Sequence, residues 1–138
     1  MSLAETKKVL IVDDSKMMRV LLARMVKSDP SFEVAGEADN GQAAIDLLSE
    51  TSIDLVLLDI EMPVMNGVEA LRQIRLKHDI KVIVVSSLAQ VASVQAAEVK
   101  QLGVDGIVDK PGGALDPSLA ATKGQELISL MREVTGLN

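Results

Sequence analysis

The stretch KVLIVDD, Lys8–Asp14, runs four apolar residues into two adjacent aspartates. Other runs end in the same way: LVLL at Leu55–Leu58 meets Asp59, KVIVV at Lys81–Val85 meets Ser86, and GIV at Gly106–Val108 is followed shortly by Lys110. Continuous apolar runs of this length are the mark of parallel strands covered by helices on both faces. Open parallel sheets collect their ligand-binding groups just beyond the carboxyl ends of the strands. The pattern therefore predicts one crevice holding the carboxylates of Asp13, Asp14 and Asp59, the hydroxyl of Ser86 and the ammonium of Lys110. Such a set suits a divalent cation and a phosphoryl group.

Working outward, the segments between these runs have helical period. Met18, Leu21, Leu22 and Met25 fall at i, i+3, i+4 and i+7, with Ser15 as N-cap and Asp29-Pro30 as the stop. Ala43, Ala44, Leu47 and Leu48 mark a second helix, residues 67–76 a third, and residues 91–102 a fourth that ends at Gly103 in a C′ position. Leu127, Ile128, Met131 and Val134 mark a fifth, after a long loop at residues 111–124. Phe32 to Ala38 alternates apolar residues with Glu33 and Glu37, as an edge strand does, and the last strand is short. Five βα units with these two strands at the edges predict a single α/β domain. Its fold is a doubly wound (βα)5 sheet in the flavodoxin-like order 2-1-3-4-5.

Length and charge narrow the classes of function. A chain of 138 residues suits one ordinary domain. Residues 1–6 read as a tail and 7–138 as the domain. A formal charge of −6 disfavours nucleic acid and anionic membrane as partners. No apolar run approaches the roughly 20 residues that cross a bilayer, and no signal peptide is visible, so the expected location is the cytoplasm. Zero cysteines excludes thiolate metal sites and thiol nucleophiles. Neither a P-loop nor a Gly-x-Gly-x-x-Gly fingerprint occurs.

Electrostatics dictates the chemistry of the predicted crevice. Two ionised carboxylates about 5 Å apart repel by roughly 3 kcal/mol at an effective dielectric near 20. Something positive must compensate. Oxygen ligands without histidine or cysteine favour a hard ion, and a few of them completed by water and phosphate favour Mg²⁺. With that cation on one flank and Lys110 on the other, Asp59 becomes a candidate carboxylate nucleophile toward phosphorus, and Ser86 a donor to the incoming oxygens.

With VLIVDDS, DLVLLDIEMPVMNG, VIVVSS and the pair Lys110-Pro111 in this order, the chain resembles the receiver domains of two-component response regulators. The resemblance implies that Asp59 accepts phosphate from a histidine kinase. It further implies that Asp14 binds Mg²⁺ directly, Asp13 through water, and Glu61 by its backbone carbonyl. Ser86 falls at the switch hydroxyl and Lys110 at the phosphate-binding lysine, which usually precedes a cis peptide to proline. DIEMPVMNGVEAL, Ser86–Leu88 and the loop at 111–124 are similar to the receiver half of chemotaxis methylesterases. That implies an output through an effector domain, with a stand-alone receiver and a phosphate-independent docking module as alternatives. Any enzyme activity in this chain itself would be Mg²⁺-dependent self-phosphorylation and self-dephosphorylation at Asp59.

Several residues depart from the family pattern or read as bystanders. Ile107 stands where many receivers carry an inward-turning aromatic, so the signal must travel through Ser86, the loop after it and the fourth helix. Val91, Ala92, Val94, Ala96 and Ala97 on that helix read as core or as a docking patch. Apolar Leu88, two residues past Ser86, orients no water, which predicts slow dephosphorylation. His78, the sole histidine, reads as surface; Met62, Met65 and the helical methionines read as adaptable packing. Asn66-Gly67 reads as the turn into the third helix. A phosphohydrolase of haloacid dehalogenase type is disfavoured because it needs both acids on one strand in an Asp-x-Asp motif.

Overall fold

The computed structural model describes residues 6–60, 62, 64–86, 94–110 and 117–137. Along them strands and helices alternate as β1 (Lys7–Val12), α1 (Lys16–Lys27), β2 (Phe32–Ala38), α2 (Gly41–Glu50), β3 (Leu55–Leu58), α3 (Gly67–Lys77), β4 (Lys81–Ser86), α4 (Val94–Gln101), β5 (Gly106–Asp109) and α5 (Pro117–Val134). The strands form one parallel sheet in the order β2-β1-β3-β4-β5, as the sequence pattern predicts.

Strand alternation assigns side chains to two helical layers. Val9, Ile11, Leu55, Leu57, Ile83 and Val85 face α1 and α5, where they pack on Leu22, Val26, Leu127 and Met131. Leu10, Val12, Val56, Leu58, Val82 and Val84 face α2, α3 and α4, meeting Ile45, Leu48, Leu71, Ile74 and Val99. Both clusters are shielded from solvent, and burying a side chain of this size contributes about 1.5–3 kcal/mol. The sheet is thereby pinned from both faces, and its strand ends become fixed points.

Helix starts follow side-chain capping. Ser15 Oγ accepts from Met18 N at 3.2 Å, Asn40 Oδ1 from Ala43 N at 2.9 Å, and Asn66 Oδ1 from Glu69 N at 3.0 Å. α4 ends as predicted. Gly103 takes a left-handed φ of 84°, its N–H donating to Lys100 O and that of Val104 to Val99 O, the double closure of a Schellman cap.

Three readings from sequence need correction. β2 is an edge strand, but its alternation breaks at a bulge between the Val9↔Val34 and Leu10↔Gly36 pairs. The extra residue, Ala35, turns the strand over. Phe32 and Val34 pack with the α1/α5 layer, whereas Ala35 and Ala38 pack with the opposite one. Next, the last helix begins at Pro117, inside the stretch read as a loop to Gly124. A proline at the first helical position has no N–H to lose, and Gly124 lies within the helix facing Met25 of α1. Finally, His78 is half-buried rather than freely exposed: its backbone N–H donates to Ile74 O at 2.7 Å at the end of α3, and its Nε2 is shielded from solvent.

Residues 91–93 of the expected fourth helix, and Leu88 and Pro111, lie outside the described residues. Of the small-residue patch on α4, Ala97 is exposed, while Val99 on the same helix is buried in the core. Met62 and Met65 pack against the α2/α3 core as expected, but Met17 is 81% exposed, which packing does not explain.

Candidate functional site

The chain order reverses between β1 and β3, since β2 lies on one side of β1 and β3 on the other. At such a switch point the two connections leave in opposite directions and open a crevice. Three of the site residues there are held by the neighbouring strand through their own backbone. Asp13 N–H donates to Ala38 O of β2 at 3.0 Å, Asp59 N–H to Val12 O of β1 at 2.9 Å, and Lys110 N–H to Ser86 O of β4 at 2.8 Å. The sheet ladder thus runs one residue past the apolar strands into the polar site. α3 closes the site from behind: Gly67 N–H donates to Ile60 O at 2.7 Å, and a β-carbon on Gly67 would fall onto the carbonyl oxygen of Asp59. Gly67, read from sequence as a plain turn, is therefore required by the close approach of a helix to the backbone of Asp59.

The side chains converge as predicted. Carboxylate oxygens of Asp13, Asp14 and Asp59 lie within 4.8 Å of one another, with Asp13 and Asp59 buried and Asp14 exposed. Lys110 Nζ sits 3.1 Å from Asp13 Oδ2 and 3.3 Å from Asp59 Oδ2. Ser86 is buried at the end of β4. Glu61, whose carbonyl was expected to face the cation, lies outside the described residues.

These contacts set the protonation of the site. Burial, then the neighbouring Asp13, push the Asp59 carboxyl up from 3.8 to about 6, against the pull of Lys110 and the Ile60 amide. Burial also works against the Lys110 ammonium, but Asp59 and Asp13 outweigh it and hold its pKa above the ordinary lysine value. Three carboxylates balanced by one ammonium leave the ionised cluster two charges negative. Asp59 Oδ1 is buried with no hydrogen-bond donor among the described residues. An all-oxygen donor set, that net charge and that unpartnered oxygen fit a hard divalent cation such as Mg²⁺.

Arg19 was missed in the reading of the sequence. Its Nη1 donates to the carbonyl of Asp13 at 2.8 Å while its Nε meets Glu37 Oε1 at 3.1 Å. Its place one turn into α1, right after the Asp-Asp pair, is the signal that was available.

A family model described as the response regulator receiver domain matches residues 9–116. The chain belongs to the response regulator receiver family. The receiver is 39% identical over 126 residues to a protein-glutamate methylesterase/protein-glutamine glutaminase of Syntrophomonas wolfei, covering 91% of this chain but 36% of that protein. It thus spans about a third of the length of this curated relative. Among solved structures, the response regulator domain of Thermotoga maritima CheB superposes with a TM-score of 0.84 at 33% identity, covering 97% of this chain and 99% of that one. A chain from the complex of the P1 domain of CheA3 with CheY6 of R. sphaeroides matches with a TM-score of 0.77 at 43% identity, over 96% of this receiver and 98% of that chain. The likeness to CheB-type chemotaxis receivers agrees with the narrower resemblance read from the sequence. Among the described residues no helix is long and apolar enough to cross a membrane.

Proposed function

We propose that residues 7–138 act as a phosphorylation-controlled switch in a chemotaxis-type two-component pathway, taking a phosphoryl group on Asp59 from the phosphohistidine of a sensor kinase. The observation that carries this reading is the state of Asp59 itself. It is buried, with one oxygen beside Lys110 and the other without a donor among the described residues. Its pKa of about 6 leaves it ionised at neutral pH yet poorly solvated, which suits a nucleophile.

In this reading a carboxylate oxygen of Asp59 attacks phosphorus in line while the P–N bond of the phosphohistidine breaks and its electron pair returns to the imidazole. Lys110 neutralises charge on the phosphoryl oxygens, and the Ser86 hydroxyl donates to one of them. Asp13, Asp14, Asp59 and the Glu61 carbonyl would hold Mg²⁺, which supplies further charge neutralisation to the phosphoryl group. The acyl phosphate then adds an anion that Ser86 and Lys110 contact differently from a bare carboxylate, biasing a two-state equilibrium. The bias passes to α4 and its preceding loop, since half-buried Ile107 packs in the core beside α4 and offers no aromatic rotor. The output we propose is a methylesterase effector domain of the kind for which the relatives are named; a stand-alone regulator is the alternative. The domain's acidic charge disfavours nucleic acid as its partner, and we assign it to the cytoplasm.

The test is intact mass after incubation with acetyl phosphate. One added phosphoryl group that requires both Mg²⁺ and Asp59 is the expected result. A folded protein that gains none from this donor or from a phosphorylated histidine domain would leave only the docking-module reading.

A further inference from the structure

We propose that Arg19, braced by Glu37, is a positioning residue for the metal site because it fixes the peptide between Asp13 and Asp14. The inference rests on the reading of the three aspartates as a Mg²⁺ site. The peptide unit is rigid and planar, so the direction in which the Asp13 carbonyl points also sets where the Cα of Asp14, and hence its carboxylate, is aimed. On its amino side Asp13 is tied to Ala38 O by a ladder hydrogen bond at 3.0 Å, and its Oδ1 accepts from Ser15 N–H at 2.9 Å. The carbonyl lies past the end of the ladder. Arg19 Nη1, reaching back from the first turn of α1, donates to it at 2.8 Å.

An arginine side chain has several rotatable bonds and holds an acceptor only when it is itself held. Glu37 Oε1 lies 3.1 Å from Nε, and the arginine side chain is only 17% exposed. The bulge in β2 is what makes this brace available. After it, Glu37 pairs with Ile11 of the α1-facing cluster, which directs it toward α1. Unbroken alternation from Val34 through Ala35 would instead point Glu37 to the other layer. The chain of control is therefore bulge, Glu37, Arg19, Asp13 carbonyl, Asp14 carboxylate. Hydrogen bonds that orient metal ligands from behind typically change metal affinity 10–100-fold when removed.

Two other roles for Arg19 predict different outcomes. A clip joining α1 to β2 would affect stability and leave Mg²⁺ affinity alone. A purely electrostatic role has the opposite sign, because deleting a cation beside three carboxylates tightens cation binding.

Calorimetric titration of the 138-residue chain with Mg²⁺ separates these, alongside urea unfolding followed by circular dichroism. For Arg19→Ala the dissociation constant should rise about tenfold or more. Phosphorylation by acetyl phosphate should slow at low Mg²⁺ and recover toward the wild-type rate at saturating Mg²⁺. Arg19→Lys, which keeps charge and stem but lacks the fork that meets both partners, should also bind more weakly, and it carries the comparison if the alanine variant does not fold. Glu37→Ala should follow in the same direction with a smaller effect. Arg132→Ala removes a comparable bridge, to Asp29 at 2.8 Å on the α1–β2 loop away from the site, and should lower stability without changing Mg²⁺ affinity. Unchanged or tighter binding by folded Arg19 variants would overturn the inference while leaving the metal site standing. A wild-type chain that binds no Mg²⁺ would overturn both.

Discussion

Replacing Asp59 by asparagine should stabilise the metal-free protein at neutral pH. The carboxyl rises from an ordinary 3.8 to about 6 on folding, a shift of roughly two units. At about 1.4 kcal/mol per unit, that amounts to ~3 kcal/mol. Because the folded-state value lies above the unfolded one, the unfolded chain gives up this proton first. Asp59 therefore costs nothing below about pH 4, costs progressively more as pH rises toward 6, and carries its full penalty above that. The attraction of Lys110 is already contained in the shift. Asparagine keeps the shape and removes the titration, so Asp59→Asn should exceed wild type by up to ~3 kcal/mol at pH 7.5, with the gap closing toward pH 4. The assay is urea unfolding in EDTA at pH 4, 5, 6 and 7.5, followed by far-ultraviolet circular dichroism, since the chain has no tryptophan or tyrosine. Adding Mg²⁺ should stabilise wild type and not the variant, narrowing the gap at pH 7.5. A variant no more stable than wild type at pH 7.5, or a gap that does not vary with pH, would refute the argument that burial and Asp13 load this carboxylate.

Three further outcomes follow from the same contacts. Lys110→Ala strips the ammonium from Asp13 and Asp59 and should destabilise the metal-free protein at pH 7.5 by about 1–3 kcal/mol, below the range for fully buried pairs because the lysine is partly exposed; urea unfolding measures it, and Mg²⁺ should restore part of the loss. Gly67→Ala forces a methyl group against the Asp59 carbonyl and should cost about 1–3 kcal/mol while slowing phosphorylation, read by unfolding and by intact mass. Leu88→Glu should shorten the lifetime of the phosphorylated protein, followed by loss of the added mass after desalting; an unchanged lifetime would count against the water-orienting argument.

The interior of the fold was legible because β1, β3 and β4 obey one simple rule, apolar residues on both faces followed by a polar residue where the strand stops. That rule also placed Asp13, Asp59 and Ser86, since strand ends and site residues coincide. β2 was less legible. A bulge adds a residue without a composition signal of its own, so Glu37 was read as a wet edge residue, which its exposure bears out, while its contact with Arg19 went unseen. The start of α5 was obscured by Pro117 and Gly124, residues that read as loop punctuation but stand here at the first position and in the interior of a helix. Arg19 and Gly67 act through backbone carbonyls, and a backbone partner leaves no trace in residue type.

The most direct test of the account is the chemical identity of the phosphorylated residue. Borohydride reduces an acyl phosphate of aspartate to homoserine, so reduction after treatment with acetyl phosphate and Mg²⁺, followed by peptide mapping, marks the acceptor. The account predicts homoserine at position 59 alone, and none without Mg²⁺. Homoserine at Asp13 or Asp14, or a phosphoryl group that resists reduction because it sits on a hydroxyl such as Ser86, would contradict it.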